Sequence, residues 1–144
     1  MKRTMILSFI LVSLFLLSAC GTSSSSDTIT GIVWQWTSLT DRVTGEETTI
    51  SNPENYTITF NEDGTLEGKA DCNNFSGTYS QEDGFSITLG ATTKAYCGET
   101  SLDTQYLQLL GSVAAGGPDG EGGFALETAG GAQRMEFQDG GKAK

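Results

Sequence analysis

Alternating apolar and polar residues form short runs along most of the chain after residue 31. The residues that this alternation places on the inward face are Ile32, Trp34, Trp36, Tyr56, Ile58, Phe60, Phe75, Gly77, Tyr79, Phe85, Ile87, Leu89, Phe124, Leu126, Met135 and Phe137. A period of two is typical of antiparallel strands that have one face on the core and the other in water. We therefore predict a mainly β domain.

Two short connectors predict where these strands turn back. Residues 61–64 (NEDG) and residues 81–84 (QEDG) each separate two alternating runs. An aspartate followed by a glycine at the end of a short loop suits a type I turn that closes with a glycine of positive φ. The pattern therefore indicates two hairpins.

One segment has helical spacing instead. Its apolar stripe consists of Leu102, Tyr106, Leu109, Leu110 and Val113. Such a stripe is typical of an amphipathic helix that covers a core. We expect Thr100 to cap the helix, with Asp103 at the third helical position near the positive end of the dipole. We expect the Gly-rich residues 114–123 to end it as an exposed loop, and residues 139–144 to form a flexible tail.

The N-terminus has the features of an export signal. Lys2 and Arg3 precede the apolar residues 5–17, and small residues lead to Cys20. The apolar run is too short to span a bilayer, and this order is typical of a cleaved signal. It resembles a bacterial lipoprotein signal peptide, in which the cysteine carries acyl chains such as palmitate. We expect a signal over 1–19, lipidation of Cys20 and a serine-rich tether over 20–29; an N-terminal core helix is the alternative.

Charge narrows the choice of partners. Removal of the signal takes away Lys2 and Arg3, two of the 8 basic residues, and leaves all 18 acidic residues. This balance argues against nucleic acid, whose phosphates attract Lys and Arg. We expect attachment to a membrane through lipid on Cys20, a location in the cell envelope that faces the periplasm or the exterior, and a monomer.

The chain contains no histidine. Its absence excludes Ser-His-Asp and Cys-His nucleophile systems and removes the commonest zinc ligand. Asp119, Gly120 and Glu121 suggest calcium only weakly, because they lack the spaced oxygen ligands of a calcium loop. We assign no catalytic residues, metal site or cofactor, and we expect a protein that is not an enzyme.

Two cysteines remain once Cys20 is set aside. Cys72 and Cys97 are an even pair in a chain expected to be exported, where disulfides persist. Closing a loop of about 25 residues stabilises a protein by roughly 3.5 kcal/mol on the chain-entropy model. We predict one disulfide between them; two free buried thiols are the alternative.

Several ordered motifs resemble the META domain family of HslJ-like heat-shock lipoproteins. They are Trp34, Ser38, Gly68-Lys69-Ala70-Asp71-Cys72-Asn73, Gly77-Thr78-Tyr79, Thr93-Lys94-Ala95-Tyr96-Cys97, Asp103-Thr104-Gln105-Tyr106-Leu107, Leu110, Phe124-Ala125-Leu126 and Met135-Glu136-Phe137. Trp36, Asp71 and Asp103 depart from the usual aliphatic residue, glycine and glutamate. The resemblance covers residues 30–138 and implies a small antiparallel, barrel-like β domain with one helix. It also implies a link to stress response and no established enzyme activity.

Two pairs of residues are candidates for ligand binding. Asn73 and Asn74 could grip a ligand with their amides, although bonding to nearby backbone in a turn is the favoured interpretation. Trp34 and Trp36 could line a binding cup, although core packing is favoured. Neither pair identifies a ligand.

The leading functional hypothesis is therefore a non-enzymatic binding or interaction module of the cell envelope, for an envelope protein or a small apolar ligand. The alternatives are a purely structural envelope lipoprotein and an inhibitor of an exported hydrolase that uses residues 114–123. A cavity lined by Trp34 or Trp36 would favour binding, whereas a filled interior would favour the two alternatives.

Overall fold

A computed structural model describes residues 29–144 of the chain. The expected signal peptide, the lipid attachment at Cys20 and the tether up to residue 28 lie outside the described residues. Within residues 29–144, no helix is long and apolar enough to cross a membrane.

Strands account for most of the regular structure in this part of the chain. They are β1 (Ile32–Asp41), β2 (Glu46–Thr49), β3 (Tyr56–Phe60), β4 (Thr65–Ala70), β5 (Asn73–Ser80), β6 (Ser86–Thr92), β7 (Val113–Pro118), β8 (Phe124–Thr128) and β9 (Gln133–Lys142). The α-helix, α1, spans Asp103–Leu110, and short 3₁₀ turns cover Pro53–Asn55 and Ala129–Gly131. The predicted mainly β fold with one helix is confirmed.

The strands form one antiparallel sheet that curls into a half-barrel. Its order is β6-β5-β4-β3-β1-β9-β8-β7, and β2 pairs with β1 outside this path. The two ends of the sheet approach each other beside β6, where the Phe85 N–H donates a hydrogen bond to the Ala114 carbonyl at 3.1 Å. The barrel-like prediction is therefore confirmed in the form of an open barrel.

Both predicted hairpin turns are present. Residues 61–64 join β3 to β4, and residues 81–84 join β5 to β6. Gly64 and Gly84 have φ angles of 82° and 102°, in the left-handed region that glycine enters without a steric penalty. A third tight turn, between β4 and β5, contains Asp71 with φ 58°. Asp71 therefore adopts a left-handed conformation that a glycine would adopt without steric cost.

Aromatic and aliphatic side chains fill the interior of the half-barrel. Trp36 is fully buried and stacks on Tyr106 of α1, with ring centroids 5.1 Å apart. Trp34 packs against Phe124 at 5.2 Å. The two indole N–H groups donate to backbone carbonyls at 2.9 and 2.8 Å. Both tryptophans are core residues, as the favoured interpretation predicted, and they do not form a binding cup.

The helix covers the core, but it begins and ends differently from the prediction. It buries Tyr106, Leu109 and Leu110. Asp103 is the first helical residue rather than the third, and Leu102, not Thr100, holds the N-cap position. The reason is that Leu102 is anchored, since its backbone N–H donates to the Tyr56 hydroxyl at 2.9 Å. Val113 lies beyond the helix, buried in β7.

Two segments expected to be irregular are strands instead. β7 ends at Pro118, so the predicted loop over 114–123 is wrong in its first half. β9 continues to Lys142, which pairs with Ile32, so the predicted flexible tail is wrong up to that residue. The tether prediction is wrong at Ile29, which is buried in the core. Backbone hydrogen bonds in a ladder do not require an alternating pattern of side chains, so the sequence pattern missed these strands.

Candidate functional site

A disulfide between Cys72 and Cys97 joins two parts of the chain that are far apart in sequence. Cys72 lies in the turn between β4 and β5, and Cys97 lies in residues 93–102, between β6 and α1, which we call the cysteine loop. The Cα atoms are 5.5 Å apart, and the predicted pairing is confirmed. The bond fixes the cysteine loop against the end of the β4–β5 hairpin.

Asn73 forms a second attachment for the same loop. Its side chain is buried, with 2% exposed. Its Oδ1 accepts hydrogen bonds from the Ala95 N–H at 2.7 Å and from the Thr93 hydroxyl at 3.0 Å. Its Nδ2 donates to the Ala95 carbonyl at 3.0 Å and to Asp103 Oδ2 at 3.1 Å. A buried amide with every partner in place makes the surrounding structure rigid.

These contacts decide between the two interpretations for Asn73. Asn73 bonds to backbone, as favoured, but to the backbone of Ala95, which is 22 residues away rather than in its own turn. Its amide is therefore fully engaged and does not serve as a ligand group. Asn74 is exposed, and its backbone N–H donates to the Thr93 hydroxyl at 2.9 Å.

The start of α1 is held by the same network. Asp103 Oδ1 accepts a hydrogen bond from the Thr104 N–H at 2.7 Å, while its Oδ2 binds Asn73. The Asp103 N–H donates to Ser101 Oγ at 3.2 Å. Sheet, cysteine loop and helix are therefore connected through a few buried or half-buried polar groups.

A cleft of about 860 Å³ lies between the cysteine loop and α1. Its volume falls in the range of small-ligand sites, roughly 300–1,000 Å³. Leu89 of β6 and Leu107 of α1 are half-buried and give it an apolar floor, and exposed polar residues on its rim include Lys94, Glu99 and Thr104. We call it the loop–helix cleft.

Tyr96 stands at the rim of the loop–helix cleft. It is 81% exposed, one of the two large hydrophobic residues with this degree of exposure in residues 29–144. The other is Val43, at the turn between β1 and β2. Tyr96 lies between Ala95, whose N–H and carbonyl both bind Asn73, and Cys97 of the disulfide. The backbone that presents this ring is therefore fixed on both sides.

The charged groups with shifted pKa values lie elsewhere in the molecule. Glu127 of β8 binds Arg134 at 2.7 Å and Arg42 at 2.8 Å. The hydrogen bond from Arg134 and the two positive charges lower the pKa of Glu127. This ion-pair network links β8, β9 and the turn after β1, and it does not reach the loop–helix cleft.

The Tyr106 hydroxyl is a titratable group buried in the core. Burial raises its pKa well above the ordinary value, and no described residue gives the hydroxyl a hydrogen bond. Its ring lies among Trp36, Tyr56 and Phe75, at centroid distances of 5.1, 5.7 and 6.1 Å. The group is neutral and belongs to the core, and Tyr106 is not among the residues that line the loop–helix cleft.

The weak calcium signal is explained by a turn. Asp119 Oδ1 accepts hydrogen bonds from the N–H groups of Glu121 and Gly123, both at 2.8 Å. Within residues 29–144, no group of three or more Asp, Glu, Cys or His side chains is arranged to hold a metal ion.

The pattern of residues along the chain did not predict the loop–helix cleft. Its rim residues Lys94, Tyr96 and Glu99 belong to a segment without apolar periodicity, which gave no structural prediction. One signal was available. Tyr96 is an aromatic residue beside a disulfide cysteine and outside any strand or helix pattern, and such a residue is not expected to pack in the core.

Two of three comparisons with known proteins gave matches. The family model described as the META domain matches residues 27–140. No curated protein matches the chain. A protein from Burkholderia xenovorans, solved by NMR, is similar over 79% of this chain and 85% of its own, with 19% identity and a TM-score of 0.63. A crystal structure of a DUF4847 family protein from Bacteroides vulgatus is similar over 83% and 99%, with 13% identity and a TM-score of 0.62. At these identities the two structures support the fold alone.

Proposed function

The chain belongs to the META domain family, and we propose that it is a non-enzymatic binding module of the bacterial cell envelope. The loop–helix cleft is its ligand site, and lipid on Cys20 holds it at a membrane. The family suggests an envelope-type module without assigning it a reaction. The binding role is therefore argued from this chain's own residues.

The observation that carries the proposal is the rigid construction of the loop–helix cleft. A disulfide and a fully bonded asparagine fix its loop wall, and Asp103 fixes the start of its helix wall. A site held in one shape loses little conformational entropy when a ligand binds. The interior of the half-barrel is filled, so the small apolar ligand expected beside Trp34 and Trp36 has no place there. A filled interior favours the structural and inhibitor alternatives, and the binding proposal therefore rests on the loop–helix cleft alone.

The envelope location rests on the sequence and on the cysteine pair. The apolar run followed by Cys20 is typical of a lipoprotein signal, and a structural disulfide suits a compartment outside the cytosol. Stable anchoring takes two or more acyl groups, or one acyl group plus a basic patch. This protein has 18 acidic residues and only 8 basic ones. The lipid would therefore supply the anchor.

Cell fractionation of Cys20→Ala tests the anchor. We expect the variant to be released from the membrane or left unprocessed, and to lose labelling by a palmitate analogue. Ser23→Ala, in the tether, is the matched control and should fractionate like the unaltered protein. If Cys20→Ala is processed and stays in the membrane, the lipoprotein proposal is wrong.

Photo-crosslinking in living cells tests the cleft. Thr104 is exposed and lines the cleft, whereas Val43 is exposed and does not. Replacing Thr104 with benzoylphenylalanine should give defined adducts on irradiation, and the same replacement of Val43 should not give those adducts. Adducts at neither position, or the same adducts at both, would contradict a binding site in the cleft and favour the structural alternative.

The hydrolase-inhibitor alternative loses the feature on which it rested. It used residues 114–123 as an exposed loop, but β7 takes up residues as far as Pro118. The remaining turn is short and is closed by Asp119. This alternative is therefore left with residues 119–123 alone.

A further inference from the structure

We propose that the loop–helix cleft binds a saccharide chain and that the ring of Tyr96 stacks against a pyranose ring. This inference rests on the proposed function, because it specifies the ligand of the same site. It is carried by the exposure of Tyr96, the polar groups around it and the charge of the cleft.

The exposed ring of Tyr96 does not pack against the aromatic core formed by the described residues. The aromatic contacts of the core involve the buried rings, and Tyr96 takes part in none of them. The backbone that carries it is nevertheless fixed, because Ala95 on one side is bound to Asn73 and Cys97 on the other side to Cys72. An exposed aromatic ring on a fixed backbone is a ready contact surface, since tyrosine loses little conformational entropy on binding.

The polar groups near Tyr96 match a ligand rich in hydroxyls. Thr92, Ser101 and Thr104 supply hydroxyls, Lys94 supplies donors and Glu99 supplies acceptors. Ser101 Oγ already accepts a hydrogen bond from the Asp103 N–H, and the Thr104 hydroxyl already donates to Asp103 Oδ1. A sugar hydroxyl donates and accepts, so it can pair with the donor and acceptor positions that these groups leave open. One face of a pyranose ring consists largely of C–H groups, which suits an aromatic face.

The charge of the cleft argues against polyanionic ligands. Its charged rim residues are Lys94, Glu99 and Asp103, which together carry a net charge of −1. A polyanion would meet a single lysine in a chain of net charge −10. A neutral, hydroxyl-rich chain avoids this penalty.

Titration of the purified full chain with tetrasaccharides tests the inference. The probes are the β-1,4-linked tetramer of N-acetylglucosamine and maltotetraose, followed by amide chemical shifts in NMR spectra. We expect saturable shifts confined to the cysteine loop and the first turn of α1 with at least one probe. Tyr96→Ala should weaken that binding about tenfold, and Tyr96→Phe should retain it because stacking needs the ring rather than the hydroxyl.

Val43→Ala is the matched control, since Val43 is equally exposed and lies outside the cleft. It should leave the affinity unchanged. Because Tyr96 is exposed, the alanine variant should keep the spectrum of a folded protein. The inference is overturned if neither tetrasaccharide causes saturable shifts at concentrations up to about 10 mM, which is roughly the range of very weak binding. It is also overturned if Tyr96→Ala binds as tightly as the unaltered chain.

Failure of this inference is distinguishable from failure of the proposed function. Crosslinks from position 104 to a protein or peptide, together with no saccharide binding, would overturn the saccharide inference and leave the binding proposal standing. If neither crosslinks nor saccharide binding occurs, both are wrong.

Discussion

Asn73 Nδ2 donates a hydrogen bond to Asp103 Oδ2 over 3.1 Å, which joins the first residue of β5 to the first residue of α1. The two residues are 30 positions apart in sequence. Because the same amide also binds both backbone groups of Ala95, one side chain sets the relative positions of sheet, cysteine loop and helix. The shape of the loop–helix cleft depends on this side chain.

Replacing Asn73 should therefore destabilise the protein and loosen the loop. Asn73→Ala removes the partners of the Ala95 N–H and carbonyl, and we expect it to lower the free energy of unfolding by about 2–3 kcal/mol. Asn74→Ala, at the exposed neighbouring residue, should change it by less than about 0.5 kcal/mol. Urea unfolding gives the free energies, and hydrogen exchange at Ala95 reports the loop. Equal effects of the two variants would contradict this role.

Removing the disulfide should lower the melting temperature markedly. The loss of about 3 kcal/mol expected from opening this loop corresponds to a decrease of roughly 10–20 °C for a small domain. The double variant with Cys72→Ser and Cys97→Ser should melt like the reduced parent chain, and reductant should not shift it further. Two alkylated thiols at these positions in the native, non-reduced protein would refute the pairing.

The helix face offers a test of core packing. Leu109 is buried and Gln108 is exposed. Leu109→Ala should lower the free energy of unfolding by about 2–4 kcal/mol because it leaves a cavity under the helix, whereas Gln108→Ala should have little effect. If both variants unfold at the same denaturant concentration as the parent, α1 does not cover the core.

Removal of the Tyr106 hydroxyl should increase stability, in contrast to the substitutions described above. Since no described residue bonds to it, its burial carries a desolvation cost without compensation. Tyr106→Phe keeps the ring contacts and should raise the free energy of unfolding by up to about 1 kcal/mol. A measured decrease would mean that the hydroxyl is bonded in solution, for example to an ordered water.

The Glu127 network should contribute to stability in a pH-dependent way. Its pKa is lowered in the folded state, so the contribution is complete above the carboxyl pKa of the unfolded chain, about 4.3. It is lost as the pH falls through the lower folded value. Glu127→Gln should therefore cost about 0.5–1 kcal/mol at pH 7 and progressively less in acid.

Urea unfolding of both forms between pH 7 and pH 3 measures that difference. Glu121→Gln removes the same charge from a residue with no ion pair among residues 29–144, and serves as the control. A stability difference between the parent and Glu127→Gln that stays constant across this range would show that the ion pairs are not its source.

Several parts of the fold could be predicted because their signals are local. Alternation along β1, β3 and β8 reports which side chains enter the core, and the Asp-Gly turns specify hairpins through backbone conformation at Gly64 and Gly84. The stripe that includes Tyr106 and Leu110 identified the helix. The Cys72–Cys97 pair followed from a count of cysteines and the expected compartment rather than from geometry.

Other strands could not be predicted, because their backbones are ordered by neighbours. β2 has four exposed residues and is a strand only because β1 offers it a ladder of partners. The glycine-rich β7 and the polar end of β9 depend in the same way on β8 and β1. Strand formation of this kind follows from context more than from intrinsic preference.

The sequence by itself thus determined the family, the class of fold, the core face of most strands and the disulfide. Only the tertiary structure decided where α1 begins, which backbone Asn73 binds and that Tyr96 stands exposed beside a cleft. The physical reason is that side-chain periodicity reports burial one element at a time, whereas a site arises where elements meet. The cysteine loop acquires its shape from contacts with β5 and α1, and no pattern within the loop encodes them.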